Sequence, residues 1–240
     1  MKITEKLAER QRNSHENAPV TIAFLGDSVT QGCFECYIDE QDRVDTVFDP
    51  EEAYSAKLRQ MLAMLYPRAQ INIVNAGISG DSAKGGLARV ERDVLAFSPD
   101  LTVVSFGLND CGGGIEKLPN FAERLKLIFD ALQKQGSEVI YLAPCMTDTY
   151  VSSHIKDDAL KAIAAQQAER EKSGVLEAYV DEAKKVAEAC GVQVCDCYRK
   201  WKRMASCGVD TTSLLANYIN HPTREMHWMI AASLVEIVFS

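Results

Sequence analysis

Five short apolar runs constrain this chain more than any other feature: Val20 to Leu25, Ile71 to Val74, Leu101 to Phe106, Val139 to Leu142 and Val192 to Cys195. They are predominantly apolar, and each reads as a strand covered on both faces. The segments between them carry helical period. After Asp49, the residues Tyr54, Leu58, Met61, Leu62 and Leu65 share one face, and Asp49-Pro50-Glu51-Glu52 supplies a cap, a first-turn proline and an acidic third residue. Further helices are expected around Leu87 to Phe97, Phe121 to Leu132 and Val175 to Cys190, the last stopped by Gly191. A final one follows Pro222, with Met226, Ile230, Leu234 and Ile237 inward. Strands that alternate with helices and are predominantly apolar specify a parallel sheet with helices on both sides, a three-layer α/β/α sandwich.

Composition narrows what such a chain does. With 240 residues, 47% of them hydrophobic, there is apolar material for one sizeable core, so residues 1–240 read as a single domain with 1–18 as a helical or flexible extension. A formal charge of -8, with the basic residues scattered, argues against a nucleic-acid partner. The N-terminal stretch lacks an unbroken apolar segment and no run approaches the ~20 residues that span a bilayer, so neither export nor membrane anchoring is expected. Eight cysteines then fit a reducing, cytoplasmic setting. Cys33 and Cys36 have the spacing of half a zinc site, but no second half follows, and neither a metal nor another cofactor is expected. Oligomeric state is not legible.

Ligands of open parallel sheets bind beyond the carboxyl ends of the strands. There the sequence places Gly26-Asp27-Ser28, Asn75-Ala76-Gly77 and Gly107-Leu108-Asn109-Asp110, three polar, glycine-bearing turns. A serine in that position becomes a nucleophile only with a base to take its proton. His221, in Asn220-His221-Pro222, sits before the last helix on a loop that can reach the same edge. Acyl transfer also needs hydrogen-bond donors for the oxyanion. The N–H groups of Ser28 and Gly77, with the Asn109 amide, are the expected set. Asp27 and Asp110 read as loop anchors and His227 as a packed residue of the last helix. His154, in the long Cys145–Ile155 connection, is a candidate substrate contact. That connection and Cys33–Phe48 are expected to shape the pocket.

These blocks, in this order, resemble the SGNH or GDSL-like serine hydrolases. Gly26-Asp27-Ser28 resembles the nucleophile block, Gly77 within Asn75–Asp81 the glycine block, Gly107–Asp110 the block with the oxyanion asparagine, and His221-Pro222 the histidine block. The resemblance implies a flavodoxin-like five-stranded sheet of order 2-1-3-4-5 and metal-free hydrolysis of esters or acetyl groups, on small or carbohydrate-linked substrates. One position departs from the pattern. The family has an aspartate three residues before the histidine, and here that residue is Tyr218. Asn217, Asp210 or a backbone carbonyl is left to orient His221. The departure also keeps open a catalytically weak ligand-binding protein on the same fold. A third reading makes Gly26–Gly32 a phosphate-cradling loop, against which Asp27 argues.

Overall fold

A computed structural model describes residues Met1–Ser240. Five parallel strands, β1 (Val20–Gly26), β4 (Ile71–Gly77), β5 (Leu101–Ser105), β6 (Glu138–Leu142) and β7 (Gln193–Cys195), form the main sheet in the order β4-β1-β5-β6-β7. Counted within this sheet, that is the 2-1-3-4-5 order. The central strands have the reason expected of them: every residue of β5 and all but one of β1 is buried.

Helices α3 (Tyr54–Leu65) and α9 (Arg224–Val238) pack together, and α4 (Ala83–Asp93), α5 (Leu118–Lys134) and α7 (Val175–Ala189) form a second packed set. The chain reverses direction across the sheet between β4 and β5, which puts the switch point beside β1. One continuous core runs from Ile3 to Val238. Its first members come from α1 (Lys2–Arg12), where Ile3 and Leu7 are fully buried. Burying two such side chains contributes roughly 1.5–3 kcal/mol each, so α1 is docked and not a loose tail.

Five features differ from the sequence reading. The Cys33–Phe48 connection is an antiparallel hairpin, β2 (Cys33–Ile38) with β3 (Val44–Phe48). Two helices, α6 (Asp158–Lys172) and α8 (Cys197–Ser206), occupy stretches that carried no periodic signal. The expected Leu87–Phe97 helix starts earlier, as α4, and ends at Asp93 before a short 3-10 turn. On α9 the buried line is His227, Ile230, Leu234 and Val238, with Met226 and Ile237 only flanking it. No helix is long and apolar enough to cross a membrane.

Candidate active site

The strand register assembles the site. Gly26 is paired with Gly77 on one side and Ser105 on the other, so the turns leaving β1, β4 and β5 meet at one level. Beyond Gly26, Asp27 caps the single-turn helix α2 (Ser28–Gln31) by accepting from Val29 N at 3.0 Å. Burial pushes the Asp27 carboxyl up to about 7, and with that side chain occupying the helix N-terminus a bound phosphate has no place there. Ser28 follows as the first residue of α2.

His221 Nε2 lies 3.0 Å from Ser28 Oγ, and its Nδ1 lies 2.9 Å from the carbonyl oxygen of Phe34. A carbonyl can only accept, so Nδ1 carries the hydrogen and the Nε2 lone pair faces the serine hydroxyl. The Phe34 carbonyl is available because the β2–β3 ladder is irregular between Cys33 and Cys36. Bulges of this kind re-aim groups that regular pairing would consume. Arg224 fixes the same stretch. Its guanidinium takes Glu35 through two bonds of 2.6 and 3.2 Å, reaches Asp49 at 3.1 Å, and lies 4.2 Å from the centre of the Phe34 ring.

Neither Asn217 nor Asp210 bonds to the imidazole. Asn217 Oδ1 accepts the backbone N–H groups of Ile219, Asn220 and His221 at 3.0, 2.9 and 3.0 Å, folding the loop that carries the imidazole. Asp210 caps Thr212 N and accepts from Tyr150 OH at 2.7 Å, away from the ring. Tyr218, at the aspartate position of the family, adopts a left-handed backbone (φ 56°) and stacks on His154 at 4.9 Å. His154 therefore borders a neighbouring cavity instead of the one holding Ser28. His227 is buried and its Nδ1 accepts from Tyr54 N at 2.9 Å, a packing role.

Burial lowers the pKa of the imidazole below its ordinary value of 6.5, opposed by the hydrogen bond to the Phe34 carbonyl and, less, by the nearby Glu35 carboxylate. His221 itself stands outside the last helix. Helix α9 begins at Arg224 behind a Thr223 cap, while His221 and Pro222 belong to a bridge with Leu215 and Ala216.

The N–H expected as the second donor is engaged within its own turn. Gly77 already gives its N–H to Asn75 Oδ1 at 3.0 Å, and its glycine identity reflects packing: a Cβ there would stand 2.2 Å from the Gln31 nitrogen. Gly80, three residues on, lines the cleft with Ser28, Asn109 and His221. Its φ of +77° favours glycine, with open space where a side chain would be, and neither its N–H nor that of Ser28 is used within the protein. Asn109 is held by its Nδ2, which donates to Asp81 O at 2.9 Å and keeps a second hydrogen. Asp110 accepts from Ala83 N and Gly107 N, with its carboxyl raised by burial to about 6. Arg89, absent from the sequence reading, is the buried tie between these turns. It donates to Gly26 O, Ala76 O and Asp81 Oδ2 at 2.9, 2.6 and 2.7 Å.

The cleft above this group has a volume of about 390 Å³. The hairpin supplies one wall through Val44, Thr46 and Phe48, and α6 supplies another through Leu160, Ile163 and Gln167. It is a pocket of ligand size lined by more polar than apolar residues, with Ser28, Asn109 and His221 together on it.

Comparison with known proteins gives the family and the fold. An acetylxylan esterase of Geobacillus stearothermophilus is 33% identical over 89 residues, which is 37% of this chain and 39% of that relative's length. A lipase/acylhydrolase structure from Enterococcus faecalis superposes with a TM-score of 0.65 at 21% identity, covering 91% of this chain and 95% of the other. An acetylxylan esterase structure from Geobacillus stearothermophilus gives 0.66 at 19% identity, over 90% and 93%. These two likenesses carry the fold. The model of the GDSL-like lipase/acylhydrolase family matches residues 24–229, and the chain belongs to that family of carboxylic ester hydrolases.

Proposed function

We propose that the chain hydrolyses carboxylic esters of small or carbohydrate-linked alcohols, acetyl esters among them, through an acyl-enzyme on Ser28 with His221 as general base. The observation that carries this reading is the pair of contacts made by one imidazole, Ser28 Oγ at 3.0 Å and Phe34 O at 2.9 Å. Ser28 Oγ attacks the ester carbon as Nε2 takes its proton, and the same nitrogen returns the proton to the departing alcohol. The N–H groups of Ser28 and Gly80, with Asn109 Nδ2, receive the oxyanion. Water then repeats the sequence on the acyl-enzyme.

A triad aspartate fixes the tautomer and stabilises the imidazolium, and where it is lost the rate falls by about four orders of magnitude through the wrong tautomer. Phe34 O supplies the first of these functions. It supplies the second only as a dipole, so we expect a working but slower enzyme. The acetylxylan esterases among the relatives support an acetyl donor and a carbohydrate alcohol.

A fluorophosphonate probe with mass spectrometry tests the reading. Ser28 is expected to carry the label, and Ser28→Ala to lose both label and turnover of 4-nitrophenyl acetate while its melting temperature stays close to the wild type's. Tyr218 in place of the aspartate favours the non-catalytic, ligand-binding alternative. Wild-type protein that takes no label and shows no Ser28-dependent turnover decides for it.

A further inference from the structure

Helix α6 brings three side chains to the cleft at helical spacing, Leu160, Ile163 and Gln167. Two are apolar, as a wall shielding an acyl transfer requires. The third is a carboxamide, 7% exposed, whose Oε1 is fully buried and has no hydrogen-bond partner. Its backbone is committed, since Gln167 O accepts from Thr147 Oγ1 at 3.2 Å, but its side chain is not. Buried polar groups are almost always paired, and an orphan calls for a reason. Leucine or methionine would complete the apolar wall.

The neighbours do not supply that reason. Thr147 gives its N–H to Glu171, and the other buried polar groups of the cleft are committed elsewhere: Asn217 to the His221 loop, Thr46 to Glu35 O, and Ser28 and His221 to each other. The side on which Gln167 meets open space is the cleft itself. An amide offers an acceptor and a two-hydrogen donor on one planar group, and rotation about its last torsion exchanges the end that faces the cleft. A neutral hydroxyl, donor and acceptor at once, matches either end. A purely aliphatic substrate leaves the amide unpaired, and sites built around a buried polar group discriminate strongly against ligands that cannot bond to it. An anionic substrate is disfavoured by Asp45 on the opposite wall.

Resting on the ester-hydrolase reading, we propose that Gln167 is a specificity-determining residue: its carboxamide bonds to a hydroxyl of the substrate and selects hydroxylated, sugar-like esters over aliphatic ones of the same size.

The test compares the wild type with Gln167→Met, which keeps length and helix propensity but removes the amide. Two esters are used, a monoacetylated methyl pyranoside and cyclohexyl acetate, whose rings are similar and whose hydroxyls differ. The ratio of kcat/KM, pyranoside over cyclohexyl, is expected to fall tenfold or more in Gln167→Met, while the melting temperature of the free protein stays level or rises because a buried orphan is gone. A ratio held within threefold overturns the proposal, whether the melting temperature rises or falls. Binding in the Ser28→Ala background gives a second readout that needs no turnover: Gln167→Met is expected to weaken the pyranoside ester tenfold by NMR titration, and equal affinity overturns the proposal. Failure of the serine mechanism is recognised separately, by an unlabelled Ser28.

Discussion

Asn217→Ala separates a residue that folds the base's loop from one that touches the base. In the wild type one oxygen, Asn217 Oδ1, accepts three successive N–H groups, and two of them belong to the buried residues Ile219 and His221. Alanine leaves those two without a partner where water reaches poorly, at about 1–3 kcal/mol for each buried orphan. Counting only these two, and allowing for relaxation, the loss is roughly 2–4 kcal/mol. For a chain of this size each kcal/mol shifts the melting temperature by about 2–4 °C, so calorimetry should register a fall of roughly 5–15 °C. Activity should fall as well, since a catalytic group displaced by about 1 Å loses on the order of 100-fold. Asn217→Asp is the companion variant: it preserves the acceptor and should recover most of the melting temperature. Asp210→Asn, which disturbs only Tyr150 and a turn, should change kcat by no more than a few-fold. A melting temperature of Asn217→Ala within about 2 °C of the wild type, combined with a hundredfold loss of kcat, would refute this account and return Asn217 to direct contact with the ring.

Two further outcomes concern protons. Because burial holds the His221 imidazole below 6.5, kcat/KM should rise with pH along an acid limb whose midpoint lies under 6.5, and a midpoint above 7 would contradict a buried base. Asp148 is fully buried with neither carboxyl oxygen bonded, and its pKa is raised by burial from 3.8 to about 8. Between these values the folded state holds a proton that the unfolded chain releases, so this group's contribution to stability is full below pH 3.8 and is lost as pH rises toward 8. Asp148→Asn should remove a slope of up to about 1.4 kcal/mol per pH unit across that window, measured by denaturant titration at several pH values; an unchanged slope counts against a protonated Asp148.

The central strands were legible because they are buried on both faces and run nearly apolar, whereas the edge strands β4 and β7 are only partly buried, not covered on both faces as expected, and carry Asn72 and Gln193. The hairpin and α6 were not, for opposite reasons. Strands β2 and β3 have mixed burial and polar or charged residues such as Glu35, Asp45 and Thr46, and the turn between them reads as generic loop. Helix α6 buries Leu160, Ala164, Gln167 and Glu171 on one line, so its inward face is half polar and the usual hydrophobic period is missing. In the site, residue types were readable but hydrogen-bond assignments were not. Gly77 and Gly80 both occur in Asn75–Asp81, and only the position of Asn75 Oδ1 determines which N–H is free. The partner of His221 Nδ1 is a main-chain atom and therefore leaves no mark on residue identity at all.

That last point changes how the site can be damaged. An aspartate that orients a base can be erased by one codon change, whereas the Phe34 carbonyl is present whichever residue stands at position 34. What places it is chain length: the number of residues between Cys33 and Cys36 set against those facing them near Phe48. A deletion of one residue in this stretch would restore a regular ladder, draw the carbonyl into pairing with β3 and leave the imidazole free to turn, without touching any catalytic side chain. The vulnerability of this hydrolase to point substitution is thus exchanged for a vulnerability to insertions and deletions in a surface hairpin, a class of change that exposed loops elsewhere in the chain are expected to tolerate.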